Sequence, residues 1–186
     1  DRVAEGRGCI ACPEGTYVAA QASTACKTCA PGSIVATEAS GSLPVSSVGT
    51  KCTGCAAGEY STSATVACIE CGAGKYVAAT GSDKEGDCIS CRAGTYQDAE
   101  GQLSCLECDA GKYGSDVAGA RVAEGTGCIA CEAGKYQASK AQGLCESCGA
   151  GKYGSGAEGD RVEEGRGCIA CPKGTYVASQ ASTACK

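Results

Sequence analysis

Nineteen cysteines in 186 residues carry nearly all the reactive chemistry of this sequence. Eighteen fall in nine C-x-x-C pairs: Cys9/Cys12, Cys26/Cys29, Cys52/Cys55, Cys68/Cys71, Cys88/Cys91, Cys105/Cys108, Cys128/Cys131, Cys145/Cys148 and Cys168/Cys171, with Cys185 left over. Two chemistries fit. Disulfides are the first, each closing a loop of roughly 15 residues worth about 3 kcal/mol of chain entropy. Zinc is the second, because C-x2-C-x13-C-x2-C is a tetrathiolate spacing and Cys9, Cys12, Cys26 and Cys29 would make one complete site. The many copies and the Gly/Ser/Thr/Ala background favour disulfides. A thioredoxin-like redox role does not suit nine copies with no strand–helix pattern around them.

Other chemistry is thinly represented. His is absent, which removes His triads, His metal sites and His pH switches. Gly72-Ala73-Gly74-Lys75 and Gly149-Ala150-Gly151-Lys152 touch the phosphate-loop pattern but put Tyr where Ser or Thr is needed. Lys75, Lys112, Lys135 and Lys152 are expected to project to solvent beside their tyrosines. The acidic groups Asp83/Glu85/Asp87 and Glu158/Asp160/Glu163/Glu164 match no complete calcium loop and read as solvated surface. The sequence therefore predicts no enzyme, no catalytic residue, no cofactor and no metal ligand.

The elements that must hold the cysteines are small. Leu, Ile, Val and Phe together contribute only 21 residues, Trp and Met are absent, and Gly contributes 29. Such a chain cannot fill a large core, so crosslinks must replace apolar burial. The net charge of -5 is spread without blocks, against a nucleic-acid footprint, and no apolar run reaches membrane-span length. Asn is absent, so there is no N-glycosylation acceptor; Ser and Thr total 30, leaving O-linked glycans open.

Segments between the pairs alternate: short ones of 13, 12, 13, 13 and 13 residues, long ones of 22, 16, 19 and 19. The period is therefore about 40 residues, a tandem array. The expected divisions are 1–29 (a partial long segment plus a module), 30–71, 72–108, 109–148 and 149–186. Residues 1–27 and 160–186 differ at three positions only, and with Met absent this reads as a processed chain or a piece of a longer array.

A second signature, C-x-x-G-x-Y, follows the pairs and uses all eight tyrosines. Examples are Cys12/Gly15/Tyr17 and Cys171/Gly174/Tyr176; in one copy Ile34 takes the Tyr slot. Each tyrosine is expected to cover the sulfurs of its own module. Cys12-Pro13-Glu14-Gly15 and Cys171-Pro172-Lys173-Gly174 suit type I turns with Pro second and Gly fourth. Isolated Val122 and Val162 are placed to fold back onto the module. The expected fold is small disulfide-rich tandem repeats forming an elongated rod: mostly turns and short antiparallel β pieces, single helical turns at most, and no large hydrophobic core. The segment 30–51, containing GSLPVSS, departs most from the repeat and reads as a loop insertion, with a ligand-contacting or glycosylated loop as the sharper reading.

Two pairing schemes satisfy the spacing. Neighbours join in one (Cys12–Cys26, Cys29–Cys52, and onward to Cys171–Cys185), leaving Cys9 over. The other crosses within groups of four (Cys9–Cys26, Cys12–Cys29, and onward to Cys168–Cys185), leaving Cys171 over. The crossed scheme is preferred, because it makes each group a self-contained knot.

The stretch Cys12–Cys29, CPEGTYVAAQASTACKTC, resembles the cysteine-rich modules called ephrin-receptor-like or GCC2/GCC3 repeats, and the resemblance spans essentially the whole chain. It is similar in character to growth-factor-receptor cysteine-rich regions and to protist surface antigens. The resemblance implies an extracellular or cell-surface, disulfide-bonded rod. The leading functional expectation is a structural component of a coat, appendage or filament, with further copies of itself or other surface proteins as partners. A rod-like receptor ectodomain or adhesion module is the alternative, and a zinc-binding tetrathiolate array a second one.

Overall fold

The repeat folds as a succession of two-stranded hairpins. The computed structural model describes residues 12–13, 16–18, 24–35, 51–63 and 67–186. Cys9, Gly15 and most of the 30–51 insertion lie outside the described residues.

Sixteen short strands among the described residues pair in sequence order. β1 (Thr16–Tyr17) pairs with β2 (Lys27–Thr28), β3 (Ser33–Val35) with β4 (Cys52–Gly54), and β5 (Glu59–Tyr60) with β6 (Ile69–Glu70). β7 (Lys75–Tyr76) pairs with β8 (Ile89–Ser90), and β9 (Thr95–Tyr96) with β10 (Leu106–Glu107). β11 (Lys112–Gly114) pairs with β12 (Cys128–Ala130), β13 (Lys135–Tyr136) with β14 (Glu146–Ser147), and β15 (Lys152–Gly154) with β16 (Cys168–Ala170). All eight pairs are antiparallel. At the end of the chain, reciprocal hydrogen bonds between Tyr176 and Lys186 close a ninth loop. Among the described residues helix is limited to single turns, α1 (Glu124–Gly127) and α2 (Glu164–Gly167), plus three 3₁₀ turns. The described residues form two compact units: one within Asp1–Cys71 and Val77–Cys88, the other of Gly72–Tyr76 and Ile89–Lys186.

The disulfides correct the preferred pairing. Neighbours are joined: Cys12–Cys26, Cys29–Cys52, Cys55–Cys68, Cys71–Cys88, Cys91–Cys105, Cys108–Cys128, Cys131–Cys145, Cys148–Cys168 and Cys171–Cys185. The strand geometry gives the reason. The two residues inside a C-x-x-C form the return strand of a hairpin, as Ile69–Glu70 does between Cys68 and Cys71. Side chains three apart on a strand point to opposite faces. One cysteine therefore closes the loop behind and the other opens the loop ahead, and a crossed knot would need both on one face. Covalent pairing also overturns the zinc reading for the described cysteines, since groups such as Cys52, Cys55, Cys68 and Cys71 have no thiolate to offer.

The core is correspondingly made of sulfur. Cys55, Cys71, Cys91, Cys108, Cys131 and Cys148 are among the most deeply buried side chains. The described residues contain no large apolar cluster; the one core cluster joins Cys71, Val77 and Cys88, with Tyr60 packed against it. Tyr60, which follows Cys55, packs against the Cys71–Cys88 disulfide.

The turn after each C-x-x-C sits one residue later than expected. The Thr175 amide donates to Pro172 O at 3.1 Å, and Gly174, third in the turn, has φ +87°. The requirement is a left-handed third residue, as in a type II turn, and only Gly adopts it without cost. Thr16 donates to Pro13 O in the same way. Two alanines occupy left-handed positions in the short loops, Ala141 (φ 58°) and Ala181 (φ 52°), while the matching Gly101 has φ 67°. A left-handed Ala is strained by its Cβ, so Ala141→Gly should stabilise the protein by about 0.5–1 kcal/mol. A thermal melt of the oxidised variant checks this; an unchanged or lowered midpoint would refute the strain.

Candidate functional site

A small set of repeated contacts passes each hairpin to the next. The amide of the second cysteine of a pair donates to the glycine carbonyl of the hairpin it completes, as in Cys71 to Gly58 O (2.8 Å) and Cys108 to Gly94 O (2.9 Å). The same glycines reach forward through their amides: Gly58 to Val77 O at 2.8 Å, Gly74 to Gln97 O at 2.7 Å and Gly111 to Gln137 O at 2.7 Å.

The carbonyl of the opening cysteine is then capped by the loop of the following hairpin. Backbone amides do this at Cys55 (from Gly81), Cys108 (from Ala141) and Cys148 (from Ala181), at 2.8, 2.9 and 3.0 Å. Arginine does it at the alternate joints. Arg121 Nη1 donates to Cys91 O and Arg161 Nη1 to Cys131 O, both at 2.6 Å. Their remaining nitrogens donate to carbonyls of their own loop, Ser115 and Asp116 for Arg121, Ser155 and Gly156 for Arg161. A planar fork with several donors suits this role, which a lysine could not fill.

Gln97 and Gln137 act inside the short loops. Each is buried, donates Nε2 across the loop (to Ser104 O at 2.8 Å and to Leu144 O at 2.6 Å), and accepts the amide two residues on. These glutamines and arginines were not among the expected site residues. Their signal was present: Arg-Val recurs at Arg121-Val122 and Arg161-Val162, and Gln follows Tyr96 and Tyr136.

On the hairpin faces, tyrosine meets the first residue inside the next C-x-x-C. The cross-strand partners are Tyr60–Ile69, Tyr76–Ile89, Tyr96–Leu106, Tyr113–Ile129 and Tyr153–Ile169. Aromatic–aliphatic pairs of this kind stabilise two-stranded ladders. Tyr17 faces Lys27, and Ile34, in the Tyr slot, faces Thr53. Tyr176, singled out in the sequence, is 68% exposed.

Tyr136 differs, because Glu146 stands opposite and accepts its hydroxyl at 2.7 Å. That hydrogen bond, helped by desolvation, pushes the phenol pKa up to about 12. The folded pKa exceeds the unfolded value near 10, so this pair's contribution is complete below pH 10 and fades as pH rises toward 12. Absorbance titration at 295 nm should show a phenol titrating near pH 12, lost in Tyr136→Phe and shifted down in Glu146→Gln. A normal titration of all tyrosines would contradict the pairing.

The charged groups form local surface pairs. Lys112 bonds Glu124 and Lys152 bonds Glu164, both at 2.6 Å, and Lys135 meets Glu132 at 3.3 Å. These lysines thus lie at the surface beside tyrosine, as expected, but engage carboxylates there. Such pairs contribute little to stability. Lys84 sits 3.5 Å from both Asp83 and Asp87, occupying the place a cation would need. Hydrogen bonds from Ser155 and then Arg166 hold the Asp160 carboxyl below its usual range. Among the described residues no cluster of His, Cys, Asp or Glu is arranged to hold a metal. Val122 and Val162 fold back as expected, though onto a hairpin further up the chain: their Cγ1 atoms lie 3.1 Å from where a Cβ on Gly74 and Gly111 would stand.

Among the described residues this is a tandem array of disulfide-closed β-hairpins whose cysteines are bonded in pairs. Residues 80–124 and 119–164 match the family described as tyrosine-protein kinase ephrin type A/B receptor-like, in two overlapping windows. Over these residues the chain is a tandem, disulfide-rich module similar to that family. No curated protein matches the chain. No helix among the described residues is long and apolar enough to cross a membrane.

Proposed function

We propose that the chain is a receptor-like or adhesion ectodomain array, an extracellular module that holds binding surfaces on a disulfide-crosslinked support. The observation carrying this reading is the pair of ephrin receptor-like matches over residues 80–164, on hairpins that are each closed by a disulfide. Crosslinked loops with little core resist proteolysis and keep their shape outside the cell. The repeats would run 30–71, 72–108, 109–148 and 149–186 after a partial one at 1–29, each in contact mainly with its neighbours in sequence. Other surface proteins are the partners, and O-linked glycans would decorate the Ser/Thr-rich loops.

The test uses the oxidised 186-residue chain, fluorescently labelled, on panels of intact cells. Saturable binding that unlabelled chain competes, and that reduced and alkylated chain lacks, supports the reading. Binding no greater than that of the alkylated control on every cell type overturns it.

A second reading, a coat or filament component, is favoured by one observation. The joint between Gly94, Gly114 and Ala141 recurs at Gly134, Gly154 and Ala181, a spacing of 40 residues at each position. Identical joints suit regular assembly, and an open heterologous contact between copies gives a fibre. Electron microscopy of the purified chain would show ordered filaments on this reading and only separate particles otherwise.

A further inference from the structure

Two clefts beside tyrosines lie at comparable hairpin positions in successive repeats. Tyr113, Glu132, Lys135, Leu144 and Cys145 line one cleft, with a volume of about 160 Å³. Forty residues earlier Arg92, Thr95, Ser104 and Cys105 hold the positions of Glu132, Lys135, Leu144 and Cys145, and with Tyr76, Ile89, Ser90 and Glu107 they line another cleft of about 300 Å³, at the small end of ligand-cleft sizes (roughly 300–1,000 Å³). Tyr76 and the half-exposed sulfur of Cys105 correspond to Tyr113 and Cys145. The lining between them has changed character. Arg92 stands where Glu132 does, Thr95 where Lys135 does and Ser104 where Leu144 does, while Ser90 and Glu107 join the lining at positions that Ala130 and Ser147 hold outside the other cleft.

Each exchange opens or polarises the cleft. Leu144 is a large apolar group at the cleft and Ser104 is not. Glu132 is tied to Lys135, whereas among the described residues Arg92 enters no ion pair. Thr95 supplies buried wall, since its hydroxyl donates to Arg92 O at 2.8 Å. The result is an apolar floor from Tyr76 and Ile89, a guanidinium, two serine hydroxyls and one carboxylate.

We infer that this cleft is a subsite for a carboxylated sugar unit of a glycan. The C–H face of a pyranose ring stacks on Tyr76 and Ile89. Its carboxylate pairs with Arg92 in a charge-assisted, two-point hydrogen bond, and its hydroxyls donate to Glu107 and exchange hydrogen bonds with Ser90 and Ser104. An acidic peptide is the poorer fit, because Glu107 repels a second carboxylate and a peptide side chain offers it few hydroxyl donors. The assignment rests on the reading of the chain as an extracellular binding module.

The oxidised 186-residue chain, labelled with ¹⁵N, is titrated with methyl β-glucuronide, methyl β-glucoside and an oligoglutamate peptide. The expected result is saturable shifts at the Tyr76, Ile89 and Arg92 amides with the glucuronide, and a response at least tenfold weaker with the other two. Arg92→Glu combined with Ser104→Leu installs the residues that the equivalent cleft already carries. This variant should keep its remaining spectrum and bind the glucuronide at least tenfold more weakly. The inference is overturned by absent saturation with the glucuronide, by an equal response to the peptide, or by a double variant that binds as well as the parent. Cell binding separates the two readings. Glucuronide shifts in a chain that binds no cells leave the subsite standing and remove the module reading. Cell binding by a chain that shows no glucuronide response does the reverse.

Discussion

Gly114→Ala should break the joint between the Cys91–Cys105 and Cys108–Cys128 hairpins, at a cost of about 1–3 kcal/mol or more. A Cβ at this position would fall on the amide nitrogen and Cα of Gly94. Both are backbone atoms, so no flexible side chain can yield. Backbone strain is not the cause, because Gly114 is not among the glycines with positive φ. The hairpins cannot simply separate either. Cys108 N is bonded to Gly94 O, Gly114 N to Gln142 O, and the far side of Gly94 abuts the Ala141 carbonyl. Gly154 against Gly134 repeats the arrangement and should respond alike. Gly119→Ala and Gly149→Ala are the controls, since nothing lies within 4 Å of the added methyl at either site. Native-state hydrogen exchange gives the readout: amides of Cys108 and Gly114 lose protection in Gly114→Ala and keep it in the controls. Parent-like protection in Gly114→Ala would show that the close approach is not structural.

Most of the repeat was legible in the sequence because its constraints are local. The alternation of short and long segments becomes the alternation of short and long hairpin loops. Tyrosine, or Ile34 in its slot, marks one strand of each described hairpin, and the scarcity of apolar residues becomes a core of sulfur. Pairing and side-chain targets were less legible, because they depend on which way a strand residue faces. The two residues inside C-x-x-C carry little strand propensity in copies such as Cys145-Glu146-Ser147-Cys148, yet they are strands, and that decides which cysteine meets which. Which disulfide a tyrosine meets was likewise not legible from spacing: Tyr60 packs on Cys71–Cys88. The turn glycine was found, but its position in the turn was fixed by a hydrogen bond to the residue after the cysteine, as in Lys112 N to Asp109 O. Arg121 and Arg161 were overlooked because their partners are carbonyls 30 residues back, which no spacing motif records. The Arg92–Ser104 cleft was legible only in retrospect, as a place where close copies cease to be copies.

Reduction should proceed in two classes, and the short loops should open first. In the long-loop disulfides Cys71–Cys88, Cys108–Cys128 and Cys148–Cys168, both sulfurs belong to buried residues. In the short-loop disulfides Cys55–Cys68, Cys91–Cys105 and Cys131–Cys145, the first cysteine is buried while Cys68, Cys105 and Cys145 are partly exposed. Exchange needs a thiolate to approach one sulfur, so access sets the order at equal leaving-group chemistry. Loop entropy scarcely distinguishes the classes: closing 14 or 20 residues differs by a few tenths of a kcal/mol. Brief treatment with dilute reductant, then alkylation and peptide mass spectrometry, should label Cys91 with Cys105 and Cys131 with Cys145 well before Cys108 with Cys128. Simultaneous labelling of all cysteines would mean that the hairpins open as one cooperative body, and burial would then not govern the order. Replacing Cys108 and Cys128 together by Ser should cost about 3 kcal/mol from the lost closure alone. It should also release the neighbouring hairpins, because Cys108 carries both the amide bonded to Gly94 and the carbonyl that receives Ala141.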